Sequence, residues 1–181
     1  MPCQTDNPIC LCGPDPAMDY ERHIVLIAPE IHWNTGNVGR TCLATGAYLH
    51  LIKPLGFSLS SRQVKRAGLD YWPKVKLTVW NSFEEWLAVL KPDIDKGELS
   101  LFSKSGQHSF WSLGTPARQC LVFGSETGGI PQTVLTRYKS LTFHIPILKD
   151  ARSLNLSTAV GIVLYESLRL TGFSNQWTWL P

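Results

Sequence analysis

Cys120-Leu-Val-Phe-Gly-Ser-Glu-Thr-Gly-Gly-Ile-Pro131 decides the fold. Cys120–Phe123 is a short apolar run, the pattern of a strand buried on both faces. Three glycines follow within six residues, and Pro131 then opens a short helix. Strand, glycine turn and helix in that order form the repeating unit of an α/β sheet. The glycines let the backbone take a positive φ and let a ligand approach closely. No Lys-Ser or Lys-Thr follows them, the spacing is not G-x-G-x-x-G, and no serine stands at the centre of G-x-S-x-G. Phosphate-loop, dinucleotide and nucleophile-elbow readings therefore fail. A plain structural turn and a small-molecule pocket both remain open on this stretch alone.

Working outward, apolar runs predict strands at His23–Ala28, Tyr48–Lys53, Val75–Trp80, Leu99–Ser103 and Leu141–Ile145, besides Cys120–Phe123. Helical patterns over Val38–Thr45, Ser61–Ala67, Phe83–Leu90, the segment from Pro131, and Leu156–Leu170 separate them. Ser82-Phe83-Glu84-Glu85 is a capping box. The last helix carries Val160, Val163, Leu164, Ser167 and Leu168 on one face and stops before Gly172. Alternation of this kind predicts an α/β fold, a mostly parallel six-stranded sheet with helices on both faces.

A chain of 181 residues suits a single core, expected over 22–172, between a flexible Pro-rich extension at 1–21 and a tail at 173–181. The net charge of +3 is compatible with a polyanionic partner but does not require one. No apolar run approaches the roughly 20 residues that cross a bilayer, and the N-terminus lacks the marks of a secretory signal, so a cytoplasmic protein is expected. The five cysteines, Cys3, Cys10, Cys12, Cys42 and Cys120, have neither an even count nor paired C-x-x-C spacing, which predicts no disulfide framework and no metal site.

Ligands of open α/β sheets settle beyond the carboxyl ends of strands. Three segments stand there: Pro29–Arg40, Phe123–Pro131, and Ile145 through Ser157. In the first, Arg40 follows Asn34 and Asn37 by about one turn, so the three could share a face, and a guanidinium can hold a phosphate or ribose oxygen by paired hydrogen bonds. In the third, Ser153, Asn155 and Ser157 offer more donors and acceptors than a single helix cap uses.

Together, in this order, the segments resemble the SPOUT class of trefoil-knotted RNA methyltransferases. Asn34-Thr-Gly-Asn-Val-Gly-Arg40 resembles the first motif of the class, Gly124-x-Glu126-x-x-Gly129 the second, and Ile145-Pro146 with Ser153-Leu-Asn-Leu-Ser157 the third. Pro29-Glu30-Ile31 and Arg66-Ala67-Gly68-Leu69-Asp70-Tyr71-Trp72 are most similar to the small bacterial enzymes that methylate the wobble ribose (cytidine or uridine 34) of tRNA.

The resemblance implies a deep C-terminal trefoil knot, a homodimer, and S-adenosylmethionine held by Phe102, Gly124, Glu126, Gly129, Ile145, Ser153, Leu154, Asn155 and Ser157. It implies transfer of a methyl group to a ribose 2′-hydroxyl, with Arg40 orienting that hydroxyl, Asn34 holding the loop and the ribose, and Tyr165 lining the site from the last helix. Two alternatives stay open: Glu126 as an acceptor for loop N–H groups, and Tyr165 as a packing residue. The tRNA anticodon arm is expected to meet Arg62, Lys65 and Arg66 through its phosphates. Rival readings are a non-catalytic RNA-binding protein of the same fold and a nicotinamide-dependent oxidoreductase, the latter disfavoured by the missing glycine fingerprint.

Overall fold

The computed structural model describes residues 20–59 and 71–171. Among them, β1 (Glu21–Ile27), β2 (Tyr48–Ile52), β3 (Lys76–Trp80), β4 (Leu99–Phe102), β5 (His108–Ser109), β6 (Arg118–Phe123) and β7 (Thr142–His144) form one sheet. Its order is β3-β2-β1-β6-β4-β7-β5, and every neighbouring pair is parallel. The count is seven strands rather than six. The extra one, β5, is a two-residue edge strand too short to carry a period.

Alternate strand residues feed two cores. Ile24, Leu26, Leu49, Leu51, Leu121 and Phe123 face one layer, where α1 (His32–Thr45) and α4 (Leu156–Leu170) cover them with Val38, Cys42, Val160, Val163 and Leu164. Val25, Ile27, Ile52, Leu99, Leu101 and Val122 face the other, under α2 (Phe83–Leu90) and α3 (Gln132–Arg137). A sheet covered on both faces explains why its central strands read as unbroken apolar runs. Among the described residues no helix is long and apolar enough to cross a membrane.

Local signals act as expected at α2: the Ser82 hydroxyl accepts from the Glu85 N–H at 3.0 Å, while the Glu85 carboxylate reaches one residue further back, to the Asn81 N–H at 2.7 Å. The polar member of the α4 face, Ser167, is buried and satisfied. It accepts from Arg22 Nε at 2.5 Å and donates to Gln119 Oε1 at 2.7 Å, tying the helix to β1 and β6.

Beneath α2 lies a buried histidine pair, His23 Nδ1 and His50 Nε2, 3.0 Å apart. Trp80 Nε1 donates to His50 Nδ1 at 3.0 Å, so the His50 proton sits on Nε2 and points at His23. Burial, then the neighbouring His23, pushes the His50 pKa down to about 3, and burial lowers that of His23 as well.

Two expectations need correction at the ends of elements. β1 opens at Glu21, one residue inside the segment read as an extension. Helix α1 opens at His32, six residues before the start the pattern gave, so Asn34 and Asn37 stand on the helix with Arg40 rather than on the segment leading into it. The expected helix at Ser61–Ala67 and the remaining terminal segments lie outside the described residues.

Candidate functional site

The strand order reverses at β1: β2 and β3 extend from one side, and β6 and β4 from the other. Open parallel sheets bind ligands at such a switch point, beyond the carboxyl ends of the strands. The loops following β1 and β6 meet there.

After β6 the chain doubles back on itself. Ser125 and Gly129 exchange both backbone hydrogen bonds, at 3.2 and 3.0 Å, Gly129 takes φ +66°, and the Ser125 hydroxyl accepts from the Gly128 N–H at 3.0 Å. Gly124 is compulsory, because a Cβ there would stand 1.9 Å from the Gly129 carbonyl carbon. This turn holds Glu126 against the start of α1.

The Glu126 carboxylate accepts the Glu30 N–H at 2.8 Å, the Ile31 N–H at 3.3 Å and Asn34 Nδ2 at 2.8 Å. Asn34 then accepts from Asn155 Nδ2 at 2.9 Å. Asn155 caps α4, its Oδ1 accepting the Ser157 and Thr158 N–H groups at 2.9 and 3.3 Å and the Ser157 hydroxyl at 2.7 Å. One continuous chain of hydrogen bonds thus joins all three sequence segments. Thr127 adds a second strut, donating to the Glu30 carboxylate at 2.6 Å.

The three segments enclose a cavity of about 560 Å³. Phe102, Gly124, Glu126, Gly129, Ile145, Ser153, Leu154 and Asn155 line it, together with Asn34. Phe102 is stacked on Phe123 with ring centroids 5.0 Å apart, giving the cavity an aromatic wall. Ile31, Lys104, Gln132, Leu135 and Ile147 also line it and were not named as ligand residues from the sequence. Ile147 could have been found as the second apolar residue of Ile145-Pro146-Ile147; the others carry no pattern of their own.

Ser157, Arg40 and Tyr165 are not among the lining residues. Asn34 is buried while Asn37 and Arg40 are exposed, so the three do not share a face. Six residues at 100° each place Arg40 well round the helix from Asn34. The Arg40 guanidinium lies 4.8 Å over the Tyr71 ring, whose hydroxyl donates to the Gly36 carbonyl at 2.9 Å. Tyr165 is 51% exposed on α4. Arg62, Lys65 and Arg66 lie outside the described residues, and no group of three metal-ligating side chains occurs among those described.

The pattern of the SpoU rRNA Methylase family matches residues 21–165. A Burkholderia cenocepacia protein named tRNA (cytidine(34)-2′-O)-methyltransferase is 41% identical over 152 residues, 83% of this chain and 96% of its own. A Listeria monocytogenes protein provisionally given the same name is 43% identical over 154 residues, 83% and 89% of the two chains. A solved structure concerned with 2′-OH methylation of C/U34 on tRNA superposes with TM-score 0.76 at 42% identity, covering 87% of this chain and 99% of that one. A SpoU methyltransferase of Streptomyces viridochromogenes, solved in complex with AdoMet, shares the fold at TM-score 0.71 and 21% identity, over 84% of this chain and 58% of its own.

Proposed function

The chain belongs to the SpoU rRNA Methylase family, and on that premise we propose that it is an S-adenosylmethionine-dependent methyltransferase acting on the ribose 2′-hydroxyl of nucleotide 34 of tRNA. The relatives near 40% identity named for that reaction support the substrate, and they cover most of both chains. The single observation carrying the reading is the hydrogen-bond chain Glu126–Asn34–Asn155, which draws the three sequence segments around one cavity.

The cavity suits the methyl donor. Its volume falls within the range of small-molecule sites, its walls combine apolar side chains with a comparable share of polar groups, and nothing lies within 4 Å of the place a Cβ would take at Gly129, so bare backbone faces open space. Phe102, Ile145 and Leu154 would hold the donor's apolar parts, and Gly124, Gly129, Ser153 and Asn155 its polar edge. When bound, the donor supplies a methyl group already activated on a sulfonium. What remains for the protein is to set the ribose oxygen in line at about 3–3.5 Å and to ease loss of its proton.

Arg40 is the residue for that task, by holding the 2′-oxygen and an adjacent phosphate; a guanidinium is nearly always protonated, so its action is electrostatic. In one chain it does not line the cavity. α1 and α4 pack on each other, and their outer surface carries Asn37 and Arg40 together with Ile162 and Tyr165, which are 38% and 51% exposed. We place a homodimer on this face, so that Arg40 of one protomer serves the cavity of its partner, with Tyr165 at the seam. Arg62, Lys65 and Arg66 would take phosphates of the anticodon arm. The return from β7 to α4, which seats α4 against β1 and β6, is the passage where a trefoil knot would lie. A cytoplasmic setting follows from the substrate.

The test is incubation of the purified protein with labelled S-adenosylmethionine and bulk tRNA, followed by mapping of methylated riboses. Label at ribose 34 is expected. Label confined to bases or to riboses other than 34, or no label, overturns the reading.

A further inference from the structure

Ile31 and Asn34 line the cavity, and between them in the chain stand His32 and Trp33. Trp33 is 54% exposed. A tryptophan buries most of its surface on average, and one left open beside a binding cavity is a candidate contact rather than packing. Its ring lies 4.5 Å from that of His32, tilted by 39°, and His32 in turn faces Phe57 at 6.5 Å.

The shelf is braced from below. The Gly56 N–H donates to the Pro29 carbonyl at 2.9 Å, and a Cβ on Gly56 would stand 2.7 Å from the Glu30 Cα, so the segment bearing Phe57 is pressed against the loop that enters α1. Exposed aromatic rings next to a site that takes RNA are suited to stacking on unpaired bases, which an anticodon loop presents.

We propose that Trp33, backed by His32 and Phe57, stacks on a nucleobase of the anticodon loop at or next to the target nucleotide and so holds its ribose at the cavity mouth. This deepens the functional reading above and rests on it for the identity of the RNA.

The experiment measures binding of an anticodon stem-loop by fluorescence anisotropy, S-adenosylmethionine affinity by calorimetry, and methyl transfer, for wild type, Trp33→Ala, Trp33→Phe and the control Trp111→Ala, a 65% exposed tryptophan none of whose near neighbours in the chain lines the cavity. Loss of a stacking ring should weaken stem-loop binding at least about 5-fold in Trp33→Ala. Trp33→Phe should recover most of it, Trp111→Ala should match wild type, and S-adenosylmethionine affinity should not change. A stem-loop made abasic at nucleotide 34 or at one neighbour should close the gap between wild type and Trp33→Ala, identifying the stacked base. Equal binding by wild type and Trp33→Ala, a gap that no abasic position closes, or a joint loss of S-adenosylmethionine binding overturns the shelf. A change of oligomeric state in Trp33→Ala would assign the surface to a second copy of the chain and overturn it too. Wild type that binds the stem-loop tightly but leaves it unmethylated, with the Trp33→Ala loss intact, supports the shelf and overturns the methylation reading alone.

Discussion

Asn34 Nδ2 lies 2.8 Å from Glu126 Oε1 although 92 residues separate them in the chain. The carboxylate takes two backbone N–H groups as well, so it acts as an acceptor on every side. Glu126→Gln would turn an amide N–H₂ towards at least one of these donors. A lost hydrogen bond and an unmatched donor cost about 1–3 kcal/mol, which lowers Tm by roughly 3–10 °C in a chain of this size. Calorimetry should show weaker S-adenosylmethionine binding at the same time, because the loop that builds the cavity shifts with the helix start.

Gly124→Ala is expected to be worse. Its Cβ would stand 1.9 Å from one backbone atom and 2.0 Å from another, and backbone cannot swing aside as a side chain can. Overpacking of this kind destabilises by about 1–3 kcal/mol or more. Gly114→Ala is the matched control: its nearest neighbour is a proline carbon at 3.8 Å, and a change within about 0.5 kcal/mol is expected. Urea unfolding of the two variants checks both.

Arg40→Ala should lower kcat for methyl transfer by about 100-fold or more while S-adenosylmethionine affinity stays as in wild type, since the proposed partners of the guanidinium are the ribose oxygen and a phosphate rather than the donor. Arg40→Lys should rescue little, because an ammonium cannot reproduce the planar paired donors. Full activity in Arg40→Ala, measured in single-turnover assays, removes the residue from its role.

Exposed Ile162 and Tyr165 are the test of the homodimer. An aspartate at either position should shift the sedimentation coefficient to that of a monomer and abolish methyl transfer, whereas Val89→Asp, on the exposed side of α2, should leave both unchanged.

The buried histidine pair predicts acid sensitivity. An unfolded histidine titrates near about 6.5, while His50 in the fold titrates at about 3. Between these values the unfolded chain binds more protons than the folded one, so stability is full above about pH 6.5 and falls as pH drops towards 3, by about 1.4 kcal/mol per pH unit for each such histidine. His23, also lowered, adds in the same direction. Urea midpoints at pH 5 should lie below those at pH 7.5, and His50→Gln, which cannot take the proton, should flatten the difference.

Much of this was legible from residues alone because the relevant signals are local. The Ser82 cap, the apolar face of α4 and the parallel sheet all follow from patterns within about 15 residues. The start of α1 was not, because its cap residue Ile31 offers no side-chain acceptor and Gly36 and Gly39 disfavour helix. Glu126 stands in for the cap from 95 residues away, and a Cβ on Gly39 would come within 2.5 Å of the Trp72 ring, so that glycine is there for packing. Both reasons are tertiary. The same holds for Asn34: its type suggested ribose contact, and its position makes it the link between two loops.

Asn155, the last member of the hydrogen-bond chain, sits 121 residues beyond Asn34 and only just ahead of α4. A polypeptide still emerging from the ribosome therefore has every earlier strand available but no closed cavity. Modification of the very molecules that translation consumes can begin only after Asn155 and the helix it caps have been made.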